Sequence, residues 1–477
     1  MSGEGRQLAD LSAVVDGVVQ GDGSVRVRDV THDSRTAGPG DLFVAIRGAN
    51  ADGHAFVAGS AAAAACVESP VEAGLPQLVV GDTRLALPAL AAEVHGHPSR
   101  ELPVLGITGT NGKTTVAHLV AAIVEASGGV PGVIGTVGAR IGSQHLPLER
   151  TSPEGSDLQR LLRRMVDAGA AVAAVEVSSH ALSFGRTAHT EFAVVAFTNL
   201  SQDHLDLHGD MESYFQTKAR LFMSGDGPAV INVDDEWGRR LAEMSSRQVI
   251  SVGADGDYRV EMLELELSRS TFRLVTPAGG HTIRLPLGGS FNVENAAIAA
   301  AASVALGMDI ETVIRGLETV EPIPGRMEPV ALGQETAIVV DYAHTPDGIA
   351  RVLQSVRPLV SGDVIVVVGA GGDRDGDKRP AMGRAAAQAD VLYVTSDNPR
   401  SEDPAAIIKA VLSGADGPAR VTVEPDRRRA IGAAIRSAGP TDAVLILGKG
   451  HETGQEVAGR VTPFDDRVVA AEVVAAR

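Results

Sequence analysis

Apolar residues in this chain fall into short runs bounded by polar and glycine-rich turns. Runs at 104–107, 171–177, 193–200 and 228–233 read as buried strands. So do 337–341, 363–369, 391–395 and 443–448. Helices are expected between them, among them 116–124 and 293–306. Repeated strand–helix units predict mostly parallel, doubly wound sheets. Before residue 100, strands are expected over 25–30, 41–46 and 77–80, with an alanine-rich helix running to Cys66. Residues 258–287 alternate without helical spacing and predict an antiparallel extension. Residues 95–99 and 322–326 read as linkers. The expected fold is therefore α/β in three domains. A small α/β N-terminal domain covers 1–99. A central, mostly parallel sheet of the P-loop ATPase type covers 100–325, and a C-terminal doubly wound, Rossmann-like domain covers 326–477.

A length of 477 residues fits about three domains. The formal net charge of −18 argues against a nucleic-acid partner held by bulk electrostatics. It leaves room for anionic small-molecule substrates, which need only a local basic pocket. The single cysteine, Cys66, cannot form an internal disulfide, which fits a reducing cytoplasm. No apolar run reaches the roughly 18 residues of a membrane helix, and the N-terminus leads into no apolar signal core. A cytoplasmic protein without membrane insertion is expected.

The most informative stretch joins the run at 104–107 to the helix at 116–124 through Gly109, Thr110, Asn111, Gly112, Lys113, Thr114 and Thr115. Glycines let backbone N–H groups approach phosphate oxygens, and the helix N-terminus adds positive potential. Lys113 would neutralise the β- and γ-phosphates, and the Thr114 hydroxyl would ligate Mg²⁺. The general motif G-x-x-x-x-G-K-[ST] is matched imperfectly, since the glycines preceding the Gly-Lys pair stand at 106 and 109. A phosphate loop alone leaves GTPase, kinase, ATPase motor and ligase open. Glu176 ends one apolar run and His204 follows another, so a carboxylate and an imidazole stand at strand ends, where ligands bind in open α/β sheets. Lys218 lies on an amphipathic stretch with Tyr214, Phe215, Leu221 and Phe222. Its spacing alone reads as a surface lysine over an apolar face.

Taken together, these motifs resemble the Mur ligases. The resemblance runs through Gly109–Thr115, Glu176–His180, Asn199–Asp206 and Lys218. It continues through Phe291–Asn295, Gly325–Glu328, Asp341–Pro346, Gly371–Arg374, Asp397–Arg400 and Gly448–Glu452. It covers nearly the whole chain in order. It implies an ATP-dependent ligase of peptidoglycan precursor synthesis, of the kind that adds the third peptide residue. ATP would phosphorylate a carboxylate of the UDP-muramoyl-dipeptide, and an amino group would then attack the acyl phosphate. The resemblance also implies Mg²⁺ held by Thr114, Glu176, His204 and a Lys218 carbamylated by CO₂, which replaces the spacing-based reading of that lysine. It makes Lys113, Glu176, His204 and Lys218 the catalytic set.

Asn292, Asn295, Arg326, Asp341 and His344 resemble further ATP contacts. Ser34 and the turn Ala49, Asn50, Ala51 resemble the uridine-nucleotide site, and Thr151, Ser152, Ser178 and Arg186 the contacts to the muramoyl-dipeptide. The amino acid would meet Arg374, Asp397, Asn398, Pro399, Arg400, Gly448 and Glu452. The Asp-Asn-Pro-Arg form accompanies meso-diaminopimelate in the family: Arg400 can pair with the distal carboxylate that lysine lacks. Arg150 departs from the family pattern beside Thr151 and leaves open a paralogue with another substrate. Folylpolyglutamate synthetase shares the ligase core, but residues 1–99 and 397–400 speak against it. A monomer is expected.

Overall fold

The computed structural model describes residues 5–48 and 51–476. Strand Val104–Thr108 is buried at every position, so it needs cover on both faces and neighbours on both edges. It sits inside an eight-stranded sheet whose order is Gln144–Leu146, Gly138–Ile141, Val130–Gly135, Ala170–Glu176, Val104–Thr108, Val194–Phe197, Ala229–Asn232, Val249–Val252. The last six strands run parallel, and the first three form antiparallel hairpin pairs that the apolar runs did not predict. The chain leaves Val104–Thr108, adds strands on one side and later returns to the other. That reversal opens a crevice at the C-terminal end of Val104–Thr108.

One face of this sheet is covered by helix Lys113–Ala126, which packs against helices Ser290–Ala305 and Ile310–Glu318. Small side chains allow the close approach. Residues 296–302 are all buried and, apart from Ile298, all alanine, and a Cβ on Gly316 would overlap Ile123 Cα. Residues 258–287 form a three-stranded antiparallel sheet, Arg259–Leu265, Ser270–Thr276 and Gly279–Leu285, as the alternation predicts.

The C-terminal sheet orders its strands Glu328–Pro329, Ala337–Asp341, Ala443–Leu447, Val364–Val368, Val391–Val394, Arg420–Val423, all parallel except the first. Five neighbouring strands therefore deliver their C-terminal ends side by side. Arg427 and Asp466 brace this sheet from behind, both with fully buried side chains. Arg427 donates to both Asp466 oxygens, at 2.8 and 2.6 Å, and to Leu447 O at 2.9 Å.

The N-terminal sheet corrects two expectations. Residues 25–30 are not one strand. Val27 and Val30 are both fully buried yet three positions apart, so a continuous pleat would send them to opposite faces. The chain breaks at Arg28 into Arg26–Val27, paired with Arg6–Gln7, and Asp29–Thr31, paired with Asp41–Val44. The alanine run before Cys66 is not a helix either. Its end forms strand Ala64–Val67, wholly buried between Asp41–Val44 and Gln77–Val79, where sheet pairing overrides the helix preference of alanine. The five strands run in the order Val18–Gln20, Gln77–Val79, Ala64–Val67, Asp41–Val44, Asp29–Thr31. Arg160, on helix Gly155–Asp167, ties this sheet to the central one through Asp29 at 2.7 Å and Val30 O at 2.9 Å. Among the described residues no helix is long and apolar enough to cross a membrane.

Removing one partner of a buried ion pair leaves a bare charge. Asp466→Asn should lower stability by about 3–5 kcal/mol in urea denaturation, and a loss near zero would show that Arg427 finds water.

Candidate active site

The loop after Val104–Thr108 is shaped by two glycines that no other residue replaces cheaply. Gly109 (φ 142°) and Gly112 (φ 90°) lie in the region favoured by glycine. A Cβ would overlap Thr198 Oγ1 at Gly109 and Asn295 Oδ1 at Gly112. Lys113 opens the helix and folds its ammonium back to Gly109 O at 2.9 Å and Thr110 O at 2.8 Å. Lys218 reaches the same Gly109 oxygen at 2.8 Å. One carbonyl thus holds two lysines.

Lys218 is 1% exposed, and its ammonium lies 4.7 Å from the centre of the Tyr214 ring. Helix Met211–Ala219 turns this lysine inward, contrary to the surface position that its spacing suggests. Burial pushes its pKa well below the usual lysine range, and Lys113 adds to the shift. Glu176 is 1% exposed and accepts from Thr136 N and Thr136 Oγ1, each at 2.9 Å. Among the described residues it has no salt-bridge partner within 4 Å. His204 follows Asp203 in a left-handed turn (φ 56°), and burial pushes its imidazole down to about 3, so it is neutral at ordinary pH.

These groups line one cleft of about 620 Å³ together with Thr110, Asn111, Thr114, Thr151, Ser152, Ser178 and Arg186, and with Arg326, His344, Arg374, Asp397, Asn398, Arg400, Gly448 and Glu452 from the C-terminal sheet. Ser152 donates to Glu176 O at 2.8 Å and accepts from Ser178 N at 3.0 Å. Arg186 pairs with buried Glu154 at 2.9 Å. Arg326 donates to Thr114 Oγ1 at 2.8 Å and stacks 4.7 Å over the Tyr342 ring.

Thr115, Asn295 and Asp341 line a second, smaller pocket between the central and C-terminal sheets, closed by Phe291 and Ile298. Asn292 does not cap the helix: its Nδ2 donates to Gly288 O at 2.7 Å, and its Oδ1 receives Asn295 Nδ2 at 3.4 Å. Asp341 is buried, which raises its carboxyl above the usual range while Arg326 opposes the shift, and it receives Met327 N at 2.7 Å and Ala343 N at 2.8 Å.

At the C-terminal sheet, Arg400 (φ 53°) donates to Gly372 O at 2.6 Å, with Glu456 Oε2 3.7 Å from its Nε. Asn398 donates to Glu452 Oε2 at 2.6 Å. A Cβ on Gly372 would overlap Pro399 O, and one on Gly448 (φ 111°) would come within 2.7 Å of Asp397 Oδ2. Arg374 is exposed.

Of the residues expected at a uridine site, Ser34 and Ala51 do not line this cleft. Ser34 lies in the turn before Asp41–Val44, and Ala51 is exposed, its carbonyl accepting from Gly48 N at 2.9 Å. Ala49 and Asn50 lie outside the described residues.

Sequence reasoning missed two groups. Asp203, quoted only as part of a motif, is 3% exposed and pairs with Lys378 Nζ at 2.8 Å, with His344 Nε2 3.8 Å away. Burial alone would raise Asp203, but His344 and Lys378 outweigh it and hold it well below the usual carboxylate range. Thr136 holds Glu176 from a hairpin that the apolar pattern did not reveal. Only the Asp-His pair in the motif signalled the first; nothing signalled Lys378 or Thr136.

Among the described residues no three His, Cys, Asp or Glu side chains are grouped closely enough to hold a metal ion. Of the residues expected to hold Mg²⁺, Glu176 offers a carboxylate, His204 a neutral imidazole and Thr114 a hydroxyl, all lining the same cleft. A buried carboxylate without an ion pair fits a hard cation beside it, and Mg²⁺ takes one or two such carboxylates together with substrate phosphates.

Family models match the chain in three segments: "Mur ligase family, catalytic domain" over residues 26–95, "Mur ligase middle domain" over 107–303, and "Mur ligase, glutamate ligase domain" over 325–450. The chain is 46% identical over 487 aligned residues to the UDP-N-acetylmuramoyl-L-alanyl-D-glutamate–2,6-diaminopimelate ligase of Streptomyces coelicolor, covering 98% of this chain and 96% of that one. A solved structure of a ligase with the same name is 31% identical, with a TM-score of 0.68 and 99% of both chains covered. A folylpolyglutamate synthase of Mycobacterium tuberculosis shares the fold at 22% identity and a TM-score of 0.65, covering 82% of this chain and 94% of that one.

Proposed function

The chain belongs to the Mur ligase family, and from that premise we propose that it joins meso-2,6-diaminopimelate to UDP-N-acetylmuramoyl-L-alanyl-D-glutamate at the expense of ATP. The observation that carries this reading is the convergence on one cleft of the phosphate loop with Arg400, Asn398 and Glu452. Under this reading, residues 1–99 hold the uridine nucleotide, 100–325 hold ATP and 326–477 hold the amino acid. The reaction takes place in the cytoplasm, on a monomer.

Transfer of the γ-phosphoryl group to a substrate carboxylate gives an acyl phosphate and ADP. The amine of diaminopimelate then attacks the carbonyl carbon, and the tetrahedral intermediate expels phosphate as the amide forms. Two anions must approach in the first step, so charge neutralisation is the main demand on the site. Lys113, Arg326 and the N-terminus of helix Lys113–Ala126 meet the phosphates. Asn292, Asn295, Asp341 and His344 shape the ATP side, and Ser34, Ala51, Thr151, Ser152, Ser178 and Arg186 hold the nucleotide substrate.

Mg²⁺, when bound, neutralises phosphate charge, with Glu176, His204 and Thr114 among its holders. Lys218 completes that set as a carbamate. Its neutral amine adds to CO₂, and the proton is lost to solvent, which turns a buried amine into an anionic oxygen donor. The depressed basicity of Lys218 supports this step, because only the free amine reacts. Arg400 and Arg374 face the distal carboxylate of diaminopimelate, and Glu452 faces its ammonium.

ADP release with UDP-muramoyl-dipeptide should be fast with diaminopimelate and slow with lysine or ornithine. Arg400→Ala should raise the KM for diaminopimelate about 10- to 100-fold and leave that for ATP nearly unchanged. Equal use of lysine by the wild type would overturn the specificity assignment. Lys218→Ala should lower kcat roughly 100-fold or more with partial rescue by added formate or acetate. Near-normal turnover without added carboxylate would remove the carbamate from the account.

A further inference from the structure

Lys449 has no exposure to solvent, and no step above uses it. A lysine is almost never fully buried unless its charge is paired. It lies just past strand Ala443–Leu447, on the loop that carries Glu452. Its ammonium donates to Asn398 Oδ1 at 3.1 Å and Glu452 Oε2 at 3.0 Å, and lies 3.9 Å from Asp397 Oδ1. Asn398 donates through Nδ2 to the same Glu452 oxygen at 2.6 Å, while its Oδ1 also accepts from Glu456 N at 3.0 Å. This network fixes which way the amide points. Two donors therefore grip Glu452 Oε2, and among the described residues Oε1 has no hydrogen-bond donor. The Glu452 side chain is 29% exposed and lines the cleft.

We propose that Lys449 is a positioning residue for amino-acid selection: it clamps one oxygen of Glu452 so that the other faces the cleft and receives an ammonium of the incoming diamino acid. The proposal rests on the functional reading above. A diamino diacid carries both charges, so its pocket must keep its own carboxylate and guanidinium groups from pairing with each other. Asp397 and Glu452 lie in the same cleft as Arg374 and Arg400. Without Lys449 the loop-borne Glu452 is released toward those arginines, and the protein's own charges neutralise each other. Buried polar networks of this kind specify one arrangement only when every member is satisfied.

The test is a double-mutant cycle with a structural arm. Lys449→Met keeps the length and removes the charge. It should raise the KM for diaminopimelate about 10- to 100-fold and leave the KM for ATP and for the nucleotide substrate within about twofold. In a Glu452→Gln background the same change should cost less than about threefold, because the clamp has lost its object. Independent, multiplying losses would overturn the proposal, as would a uniform rise in every KM. Lys449→Gln, which keeps a donor amide, serves in the same cycle if the Met variant is insoluble. A crystal structure of the variant provides the second arm: a displaced Glu452 carboxylate supports the clamp, and an unmoved one overturns it. If the wild type refuses diaminopimelate but ligates another amino acid, the functional reading falls, and the crystallographic arm still decides the role of Lys449.

Discussion

The carbonyl oxygen of Gly109 accepts from two lysines at once, Lys113 at 2.9 Å and Lys218 at 2.8 Å. Like charges this close are costly in a desolvated site, where Coulomb terms are weakly screened. Burial and mutual repulsion both favour one lysine giving up its proton, and Lys218, the more deeply enclosed, is the one pushed furthest down. The arrangement holds only because Gly109 has no side chain, since a Cβ there would overlap Thr198 Oγ1. A requirement for glycine in the loop thus becomes, two steps later, a difference in chemistry between two lysines.

Sheet topology brings the other groups to this point. Strand Val104–Thr108 is flanked by Ala170–Glu176 and Val194–Phe197 in register, so Glu176 lies opposite Ile107 and Phe197 opposite Thr108. The neighbouring strand ends then deliver Glu176 on one side and the Asn199–His204 segment on the other. The C-terminal sheet repeats the arrangement with Asp341, Gly369, Asp397 and Gly448 just beyond or at its strand ends. Polar links join the two sheets across the cleft: Arg326 to Thr114, Asn111 to Asp347 at 3.2 Å, and Lys378 to Asp203. The Lys378–Asp203 pair is a buried, charge-assisted hydrogen bond across the cleft, one of the contacts that separating the sheets would break.

The parallel cores were legible because strands buried on both faces leave unbroken apolar runs, as at 104–108 and 364–368. The phosphate loop was legible because its glycines and lysine are adjacent in the chain. The hairpins over Val130–Leu146 were not: Val130–Gly135 is buried but its apolar run is broken by Pro131 and Gly132, and the strands Gly138–Ile141 and Gln144–Leu146 are partly exposed. The alanine run ending at Cys66 carried a helix signal that pairing within the sheet overrode. Spacing placed Lys218 on the surface, because an amphipathic pattern shows only that one face is buried; the family resemblance gave it the opposite role. Asp203 and Lys378 pair across 175 positions, and Lys449 needs Asn398, 51 positions away, as well as its near neighbour Glu452; single-residue patterns do not encode such partnerships.

In this account, one cleft brings a nucleotide phosphate and a substrate carboxylate into covalent contact before the amine arrives. Isotope transfer reads that contact directly. With ¹⁸O in the reacting carboxylate of the UDP-muramoyl-dipeptide, ATP and diaminopimelate, the inorganic phosphate released should carry one ¹⁸O atom per amide formed. Phosphate free of label, with amide still produced, would contradict activation through an acyl phosphate.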